Sequence, residues 1–303
     1  MKPDIAIIGE LNLDLILYGL PQDMPVEREL LGDDFRITLG SSSAILAHNL
    51  ASLGTHVRFV TCVGPDAMGK IALDYLRDRG IDLSGVITTQ TATGVTLILP
   101  HGKPRHILTY PGAMWELRYG DLNVGALKEA RHFHLSSLYL HRALVKDVAQ
   151  LFRNMKAAGL TTSLDTNDDP EGRWEHLDAI LPHVDIFLPN ADEACRITRT
   201  DRVDEAIERL APRVPILVVK LGAEGALLRK DGETLNAFGT KIEVVDTVGA
   251  GDTFDAGFLH QYVRGAPLED CLQFANRCAA YSTTAAGGVE AFRDEKRRTE
   301  FLT

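Results

Sequence analysis

The sequence has few of the features that mark secreted, membrane-bound or nucleic-acid-binding proteins. Its 303 residues include only four cysteines, none in a C-x-x-C pair, so we expect buried free thiols in a reducing compartment. The 32 Lys and Arg residues are outnumbered by 42 Asp and Glu, and a formal net charge of −10 argues against nucleic acid or an anionic membrane as a partner. No apolar run approaches the ~20 residues of a membrane span. The N-terminus shows no signal-peptide core, so we expect a cytoplasmic protein.

Several nucleotide- and metal-binding motifs are also absent from the sequence. It contains no G-x-x-x-x-G-K-[ST], which excludes a P-loop kinase. The turn after the first strand pattern reads Gly9-Glu10-Leu11-Asn12, not G-x-G-x-x-G, so a nicotinamide-dependent oxidoreductase is disfavoured. The ten histidines include no H-E-x-x-H, and His132 and His134 share a strand face without a third partner. A zinc site is therefore not expected.

The hydrophobic pattern alternates between short apolar runs and longer segments of helical period. Strands are predicted near 5–9, 57–63, 132–135, 161–165, 186–188, 216–220 and 226–229, and helices near 44–53, 67–79, 142–158, 190–198, 203–211, 250–264 and 267–286. This alternation is typical of an α/β fold with a doubly wound, mostly parallel sheet. No linker or repeat interrupts it, so residues 1–303 are expected to form one domain.

Three stretches depart from this alternation and predict a small separate sheet, set aside as a lid. Residues 11–18 and 34–39 alternate between apolar and polar side chains, as half-buried strands do. Residues 88–110 contain two β-rich runs joined by Pro100-His101-Gly102-Lys103-Pro104, a hairpin turn by composition. In the first stretch the alternation places Asn12 and Asp14 on one strand face.

The most informative stretch is DTVGAGDTFDAGFL at residues 246–259. A strand-like run, Lys241–Val245, gives way here to a helical pattern through two glycines and an alanine. The backbone amides of Gly249, Ala250 and Gly251 would face outward at the positive end of the helix dipole, where anions bind. Asp252 in the first turn could act as a base if a hydroxyl attacks a phosphoryl group held there. The alternative is that Asp252 caps the helix.

The whole string closely resembles the C-terminal signature of the ribokinase-like (PfkB-type) carbohydrate kinases. Other segments, HVRFVTCVGPDAMGK…LRDRGID, PNADEA, VVKLGAEGALL and NRCAAYSTTAAGG, resemble further parts of that family in the same order. The resemblance spans the chain and implies ATP-dependent transfer of the γ-phosphoryl group to a sugar hydroxyl, with ATP and Mg²⁺ as cofactors. One motif departs from the family pattern: GSSSAIL places Ser41 at a usual glycine and Ile45 at a usual asparagine, which affects the sugar pocket.

The resemblance assigns roles to individual residues. Asp252 becomes the catalytic base, and the anion hole comprises Gly249, Ala250 and Gly251. The substrate-binding candidates are Asn12, Asp14, Gly40, Ser41 and Ser42, joined by Asp165 and Asn167 at the end of a strand, where doubly wound folds collect ligands. The nucleotide-binding candidates are Asn190, Lys220, Gly222, Gly225 and Asn276, and the Mg²⁺-binding candidates are Glu193 and Asn190.

Each of these assignments has a simpler structural alternative. Asp14 could be a solvated strand charge, since Asp is mostly exposed in proteins. The 40–42 turn could be an ordinary helix cap, and Asn190 with Glu193 could form a capping box. The two readings of the Asn190–Glu193 pair are compatible with each other.

The acceptor substrate is left open by the sequence. A neutral sugar is the leading expectation, and a nucleoside kinase would share every catalytic residue named. A sugar-phosphate kinase would need a basic cluster, and Arg36 and Arg105 are the only basic residues that we can place near the expected acceptor pocket. A non-catalytic sugar sensor is disfavoured by the intact GAGD. The resemblance further suggests a homodimer formed through the lid and leaves a monovalent-cation site beside Asp246 open.

Overall fold

The computed structural model describes residues 2–101 and 104–302. Its strands are β1 (Ile5–Ile8), β2 (Asn12–Tyr18), β3 (Asp34–Leu39), β4 (Val57–Val60), β5 (Cys62–Val63), β6 (Ile87–Thr88), β7 (Gly94–Pro100), β8 (Arg105–Tyr110), β9 (His132–Ser136), β10 (Thr161–Asp165), β11 (Ile186–Phe187), β12 (Ile216–Lys220), β13 (Gly225–Lys230) and β14 (Glu233–Phe238). Its α-helices are α1 (Ser42–Ser52), α2 (Ala67–Arg77), α3 (Val124–Leu127), α4 (Val148–Ala157), α5 (Leu177–Ile180), α6 (Ala191–Thr198), α7 (Val203–Leu210), α8 (Ala250–Val263), α9 (Leu268–Ser282), α10 (Glu290–Arg293) and α11 (Glu295–Leu302).

The main sheet has eight strands in the order β14-β13-β12-β11-β10-β9-β1-β4. The six strands from β12 to β4 are parallel, whereas β13 and β14 add an antiparallel edge. Because parallel strands end at the same edge of a sheet, the residues that follow β1, β10, β11 and β12 come together there. The predicted doubly wound, mostly parallel α/β fold is confirmed.

The sheet is covered by helices on both faces, as the continuous apolar strands predict. In β1, Ile5 and Ile7 belong to the core cluster that includes α1 and α8, whereas Ala6 and Ile8 belong to the cluster that includes α4. All four residues are fully buried, so neither face of β1 is left to solvent.

The second sheet has four strands in the order β3-β2-β7-β8 and forms the predicted lid. Only three residues separate β1 from β2, so the main sheet continues directly into the lid. All six residues of Arg105–Tyr110 are exposed, which makes β8 an open edge strand. The third stretch assigned to the lid, residues 88–110, was given too early a start: Ile87–Thr88 pairs in parallel with Cys62–Val63 in a separate two-stranded sheet. Gly102 and Lys103 of the predicted hairpin turn lie outside the described residues.

Two further local predictions need correction. Lys241–Val245 is a loop and not a strand, because its backbone finds no neighbouring strand: the amide of Val245 donates instead to the carbonyl of Thr283 at the end of α9. The four cysteines are free as expected, but Cys195 is only partly buried. In the part of the chain that the structure describes, no helix has the length and apolar character needed to cross a bilayer.

Candidate active site

The site is organised by the N-terminus of α8, where Gly249 occupies the N-cap position with φ 72°. A side chain at Gly249 would meet the backbone of Gly288 at 2.7 Å and Ile45 at 3.1 Å. Only glycine combines this left-handed backbone with so close an approach. Ile45, at the position where the family pattern departs, packs against this glycine and is 2% exposed. The side chain of Ile45 therefore packs against the turn that precedes α8.

The backbone amides at this helix start are available to an anion to different degrees. Thr253 donates its amide to the carbonyl of Gly249 at 2.9 Å, which is the first hydrogen bond of the helix. The amides of Gly251 and Asp252 precede it, in the part of a helix that has no internal partners. The amide of Ala250 makes a longer bond of 3.3 Å to Thr247. Gly251 is exposed and lines the adjoining cavity, so the helix start is open to a ligand.

Asp252 lies in the first turn of α8, as predicted. Burial raises the pKa of its carboxyl to about 7, with further increases from Asp165 and Glu10, while Lys220 and a hydrogen bond from Ser42 act in the opposite direction. A carboxyl with a pKa near 7 can both accept and release a proton at neutral pH. The site therefore contains a group suited to general base catalysis.

On the lid side, Asn12, Asp14 and Gly40 form one compact group. A Cβ on Gly40 would lie 2.2 Å from Oδ1 of Asp14 and 3.0 Å from Oδ1 of Asn12. Asn12 donates its amide nitrogen to Oγ1 of Thr96 at 2.6 Å, whereas its Oδ1 has no hydrogen-bond partner among the described residues. A buried acceptor without a partner is costly unless a ligand supplies a donor.

Asp14 is 5% exposed, so it is not the solvated strand charge that the sequence allowed. Its pKa is raised to about 7 by burial and then by the charges of Asp252 and Asp246, while Arg105 opposes this increase. The charge of Asp252 acts on Asp14, so the lid carboxyl lies near the carboxyl at the start of α8.

The serines of the 40–42 turn have different surroundings. Ser41 has φ 62°, and its hydroxyl donates to the carbonyl of Glu10 at 2.9 Å and accepts from the amide of Ala44 at 3.4 Å. These bonds are those of a helix cap, which is the structural alternative that the sequence offered for the 40–42 turn. Ser42 instead lies beside the carboxyl of Asp252. Contacts of both serines with a substrate stay predictions.

At the end of β10, Asp165 and Asn167 are held by protein groups. Asp165 is 1% exposed and accepts a hydrogen bond from Nζ of Lys220 at 2.6 Å. Asn167 lines the cavity, while its side-chain oxygen accepts from the amide of Ser137 at 2.9 Å. Their predicted role in substrate binding stays a prediction.

A cavity of about 520 Å³ lies beside the start of α8. All five predicted nucleotide-binding residues line it: Asn190, Lys220, Gly222, Gly225 and Asn276. The other lining residues include the apolar side chains of Ile242, Val244 and Phe254, which suit the face of a planar base. Asn276 donates its amide nitrogen to the carbonyl of Ala237 at 2.7 Å, which leaves its side-chain oxygen as an acceptor. The sequence patterns gave no reason to place Ile242 and Val244 in a pocket.

Asn190 and Glu193 form the capping box of α6. The backbone amide of Asn190 donates to Glu193 Oε2 at 2.9 Å, and the amide of Glu193 donates to Asn190 Oδ1 at 2.9 Å. Burial and then Asp165 raise the pKa of Glu193 to about 7. Both side chains also line the cavity. One carboxylate and one amide fit Mg²⁺, which keeps several waters and binds phosphate oxygens in preference to an all-protein cage.

Other possible metal ligands are engaged or scattered. No cluster of three or more His, Cys, Asp or Glu that could hold a metal ion occurs within residues 2–101 and 104–302. Asp246 accepts the backbone amides of Val248 at 3.0 Å and Gly287 at 2.9 Å, one at each carboxylate oxygen. His132 and His134 hydrogen-bond to buried hydroxyls, and burial lowers the pKa of each to about 3, so both are neutral.

Two buried acids near the predicted site residues were missed by the sequence patterns. Glu10 follows β1 and accepts hydrogen bonds from the hydroxyls of Ser43 and Ser137. Asp255 lies one helical turn beyond Asp252, with its carboxylate 3.2 Å from Nζ of Lys220. The three-residue spacing from Asp252 was a usable signal for Asp255, since such residues share a helix face. For Glu10 the only signal was its position after the first strand.

Comparison with known proteins agrees with this geometry. The pfkB family carbohydrate kinase model matches residues 2–295. The chain belongs to the pfkB family of carbohydrate kinases. As a member of that family, it is an ATP-dependent phosphotransferase with a ribokinase-like fold, which confirms the class of enzyme and of fold expected from the sequence.

Three proteins that are similar to this pfkB-family chain differ in their named activities and ligands. An ATP-dependent 6-phosphofructokinase of Thermoanaerobacterium thermosaccharolyticum is 26% identical, over 95% of this chain and 90% of the relative. A structure of Arabidopsis thaliana ribokinase complexed with ribose and ATP is 26% identical with a TM-score of 0.85, covering 100% of this chain and 99% of the other. A candidate ribokinase II from E. coli in complex with ATP and Mg²⁺ has a TM-score of 0.87 at 23% identity, covering 99% of each chain, and shows the shared fold.

Proposed function

We propose that the protein transfers the γ-phosphoryl group of ATP to a hydroxyl group of a small neutral sugar. The observation that carries the proposal is the position of Asp252. Its carboxyl stands at an open helix N-terminus beside the cavity, and its charge acts on Asp14 in the lid. It can therefore reach a phosphoryl group held by the helix amides and a hydroxyl held by the lid.

In the proposed reaction, Asp252 takes the proton of the acceptor hydroxyl as its oxygen forms a bond to the γ-phosphorus. The bond between that phosphorus and the oxygen bridging to ADP breaks, and ADP leaves. The amides of Gly249, Ala250 and Gly251 stabilise the charge on the transferring group. Mg²⁺, when bound to ATP, neutralises part of the phosphate charge. Asn190 and Glu193 would hold that ion, mainly through water.

The lid residues that would hold the acceptor substrate favour a ligand rich in hydroxyl groups. The free Oδ1 of Asn12 and the carboxyl of Asp14 meet at Gly40, so two acceptor atoms converge on one place. Vicinal sugar hydroxyls supply the donors that such a pair requires. A phosphate group there would instead face Asp14, whose charge is already disfavoured by burial.

A sugar phosphate is the second candidate acceptor. Arg105 at the start of β8 acts electrostatically on Asp14, so it lies within reach of the acceptor side. A guanidinium is the usual partner of a bound phosphate. The proposal nevertheless favours the neutral sugar, because Arg105 is exposed whereas Asp14 and Asn12 are buried.

The test is a coupled assay of ADP release with purified protein, MgATP and a panel of neutral sugars, nucleosides and sugar monophosphates. We expect the highest kcat/KM with a neutral sugar. A higher value for a sugar monophosphate than for every neutral compound would overturn the acceptor assignment and implicate Arg105. A nucleoside as best acceptor would keep the chemistry and move the protein to the nucleoside kinases.

We also propose that two copies of the chain pair through their lids and that the enzyme works in the cytoplasm. Three apolar side chains of the open edge strand β8 are half-exposed: Ile107 at 53%, Leu108 at 53% and Tyr110 at 50%. Exposed edges with apolar residues recruit another strand or sheet. The free cysteines favour a reducing compartment.

A further inference from the structure

Lys220 is the buried cation of the site. Its side chain stands at the end of β12, where the residue as a whole is 9% exposed. The ammonium nitrogen lies 2.6 Å from Asp165 Oδ2 and 3.2 Å from Asp255 Oδ2. Both carboxylates are 1% exposed, so the three groups form a closed cluster beneath the cavity. A buried ammonium is retained only when carboxylates hold it in this way.

The cluster lies directly against the anion hole. A Cβ on Gly251 would be 3.7 Å from the Lys220 ammonium and is close to no other heavy atom outside its own helix backbone and chain neighbours. The backbone of Lys220 forms an isolated parallel β-bridge with that of Asn190, the residue that begins the capping box of α6. This pairing fixes the backbone of the lysine beside α6. Lys220 and Lys241 are the two cationic residues in the described lining of the cavity, and Lys241 is exposed to solvent.

Resting on the kinase function proposed above, we propose that Lys220 is a positioning residue for phosphoryl transfer. Its ammonium, held between Asp165 and Asp255, places a fixed positive charge at the floor of the anion hole beside Asp252. Asp165 and Asp255 are then the partners of Lys220, and Asp255 is not a second base. A preorganised charge of this kind needs no rearrangement when the terminal phosphate arrives.

The ionisation of the cluster agrees with this assignment. For Asp165, burial acts to raise the pKa, but Lys220 outweighs it and the pKa is lowered. Burial raises the pKa of Asp255 well above its usual range, against the effect of Lys220. Lys220 therefore shares its hydrogen bonds between one charged carboxylate and one that readily takes a proton. The lysine itself has a raised pKa, since the carboxylates outweigh its burial, and it stays charged.

Removing the charge of Lys220 has a consequence for Asp252. Lys220 is the group that electrostatically opposes the rise of the Asp252 pKa, so its loss shifts that pKa further upward. The groups that face Asp252 from the surrounding elements are Asp165, Lys220, Glu10, Ser42, Asp14 and Asp255. Lys220 is the one cation in this set. The base would then need a higher pH to ionise, and the acid limb of the pH profile would move upward.

The experiment compares Lys220→Gln, which keeps donors toward both carboxylates but no charge, with Lys220→Arg, which keeps the charge. Lys230→Met, at the far end of the neighbouring strand β13, is the control for losing a lysine. Isothermal titration with MgATP and AMP needs no acceptor, so it tests Lys220 even if no sugar proves to be a substrate. The pH dependence of kcat/KM with the best acceptor is the second measurement.

We expect Lys220→Gln to lose about tenfold or more in MgATP affinity with AMP affinity within twofold, and Lys220→Arg to restore most of it. We also expect the acid limb of the Lys220→Gln profile to move to higher pH. MgATP affinity and an acid limb equal to those of the Lys230→Met control would show that Lys220 is a structural counterion, and would overturn the proposal. If Lys220→Gln does not fold, the Lys220→Met/Asp165→Asn double variant, which removes the ammonium together with the carboxylate that it keeps ionised, gives the same comparison of MgATP and AMP affinity.

Discussion

Replacing Asp252 by Asn tests the central assignment of the site. The two side chains have the same shape, so the N-terminus of α8 and the cavity beside it should persist. The amide cannot take the proton of the acceptor hydroxyl, and a positioned base contributes about 10²–10⁴-fold to a rate. We therefore expect kcat to fall by at least about 10²-fold while MgATP binding stays within severalfold of the wild-type value.

The raised pKa gives this prediction two further readouts. With a pKa of about 7, only the ionised fraction of Asp252 is active, so wild-type kcat/KM should fall about tenfold per pH unit below 7. The variant should lose this limb. The signs for stability follow from linkage: the pKa is higher in the folded than in the unfolded chain, so ionising Asp252 destabilises the fold as pH rises from about 4 to 7. Asp252→Asn should thus raise Tm at pH 8 by about 2–4 °C.

The assays are ADP release across pH 5.5–8.5 (roughly 1.5 units either side of the pKa that would govern the limb), isothermal titration with MgATP, and thermal unfolding at pH 5 and pH 8. Gln261→Glu, on an outer face of the same helix, controls for a change in local charge. Turnover close to the wild-type rate, or an acid limb that survives the substitution, would refute the base assignment. A variant that neither binds MgATP nor melts cooperatively would instead identify Asp252 as a structural cap.

Three further predictions address the acceptor side and the lid. Asp14→Ala should weaken sugar binding about tenfold or more, since hydrogen bonds to charged groups contribute about 1.5–3 kcal/mol, and leave ATP affinity unchanged; equal losses for both ligands in titration would contradict the lid placement. Gly40→Ala should raise the sugar KM more than kcat falls, because its Cβ would stand 2.2 Å from Asp14 Oδ1; an unchanged KM would show that the sugar binds elsewhere. Leu108→Lys should convert a lid-mediated dimer to a monomer in light scattering, and a dimer that survives it would locate the interface outside β8.

The parts of the site that follow from local sequence were predictable. The turn at Gly249 and the helix start at Ala250, which places Asp252 in the first turn, depend on neighbouring residues, so the pattern of small residues was sufficient. Parallel strands end at one edge of the sheet, and Asn167, Asn190 and Lys220 all line the cavity at that edge, although Asn167 was assigned to the substrate and the other two to the nucleotide. The lid strands were predictable for the same reason, because alternation is a local property.

Other parts depend on contacts between distant segments. The pairing of Lys220 with Asp255 joins residues 35 positions apart, and a lysine at a strand end gives no sign that its charge will be buried. Asp165 was expected to face a substrate because nothing in its neighbourhood indicated the competing ammonium. The loop before α8 was mistaken for a strand, since alternation describes side-chain faces and not whether a partner strand exists.

The packing of α1 against α8 has a consequence for how the chain is made. Asn49 of α1 donates to Thr253 of α8 at 2.9 Å across 204 residues of sequence, and Ile45 lies against Gly249. At 5–20 residues per second, a ribosome needs about 10–40 s to add the segment between them. During that interval the apolar face of α1 lacks its partner helix. A messenger RNA truncated before codon 250 would yield an aggregation-prone fragment that chaperones bind and proteases degrade, and not a partly active enzyme.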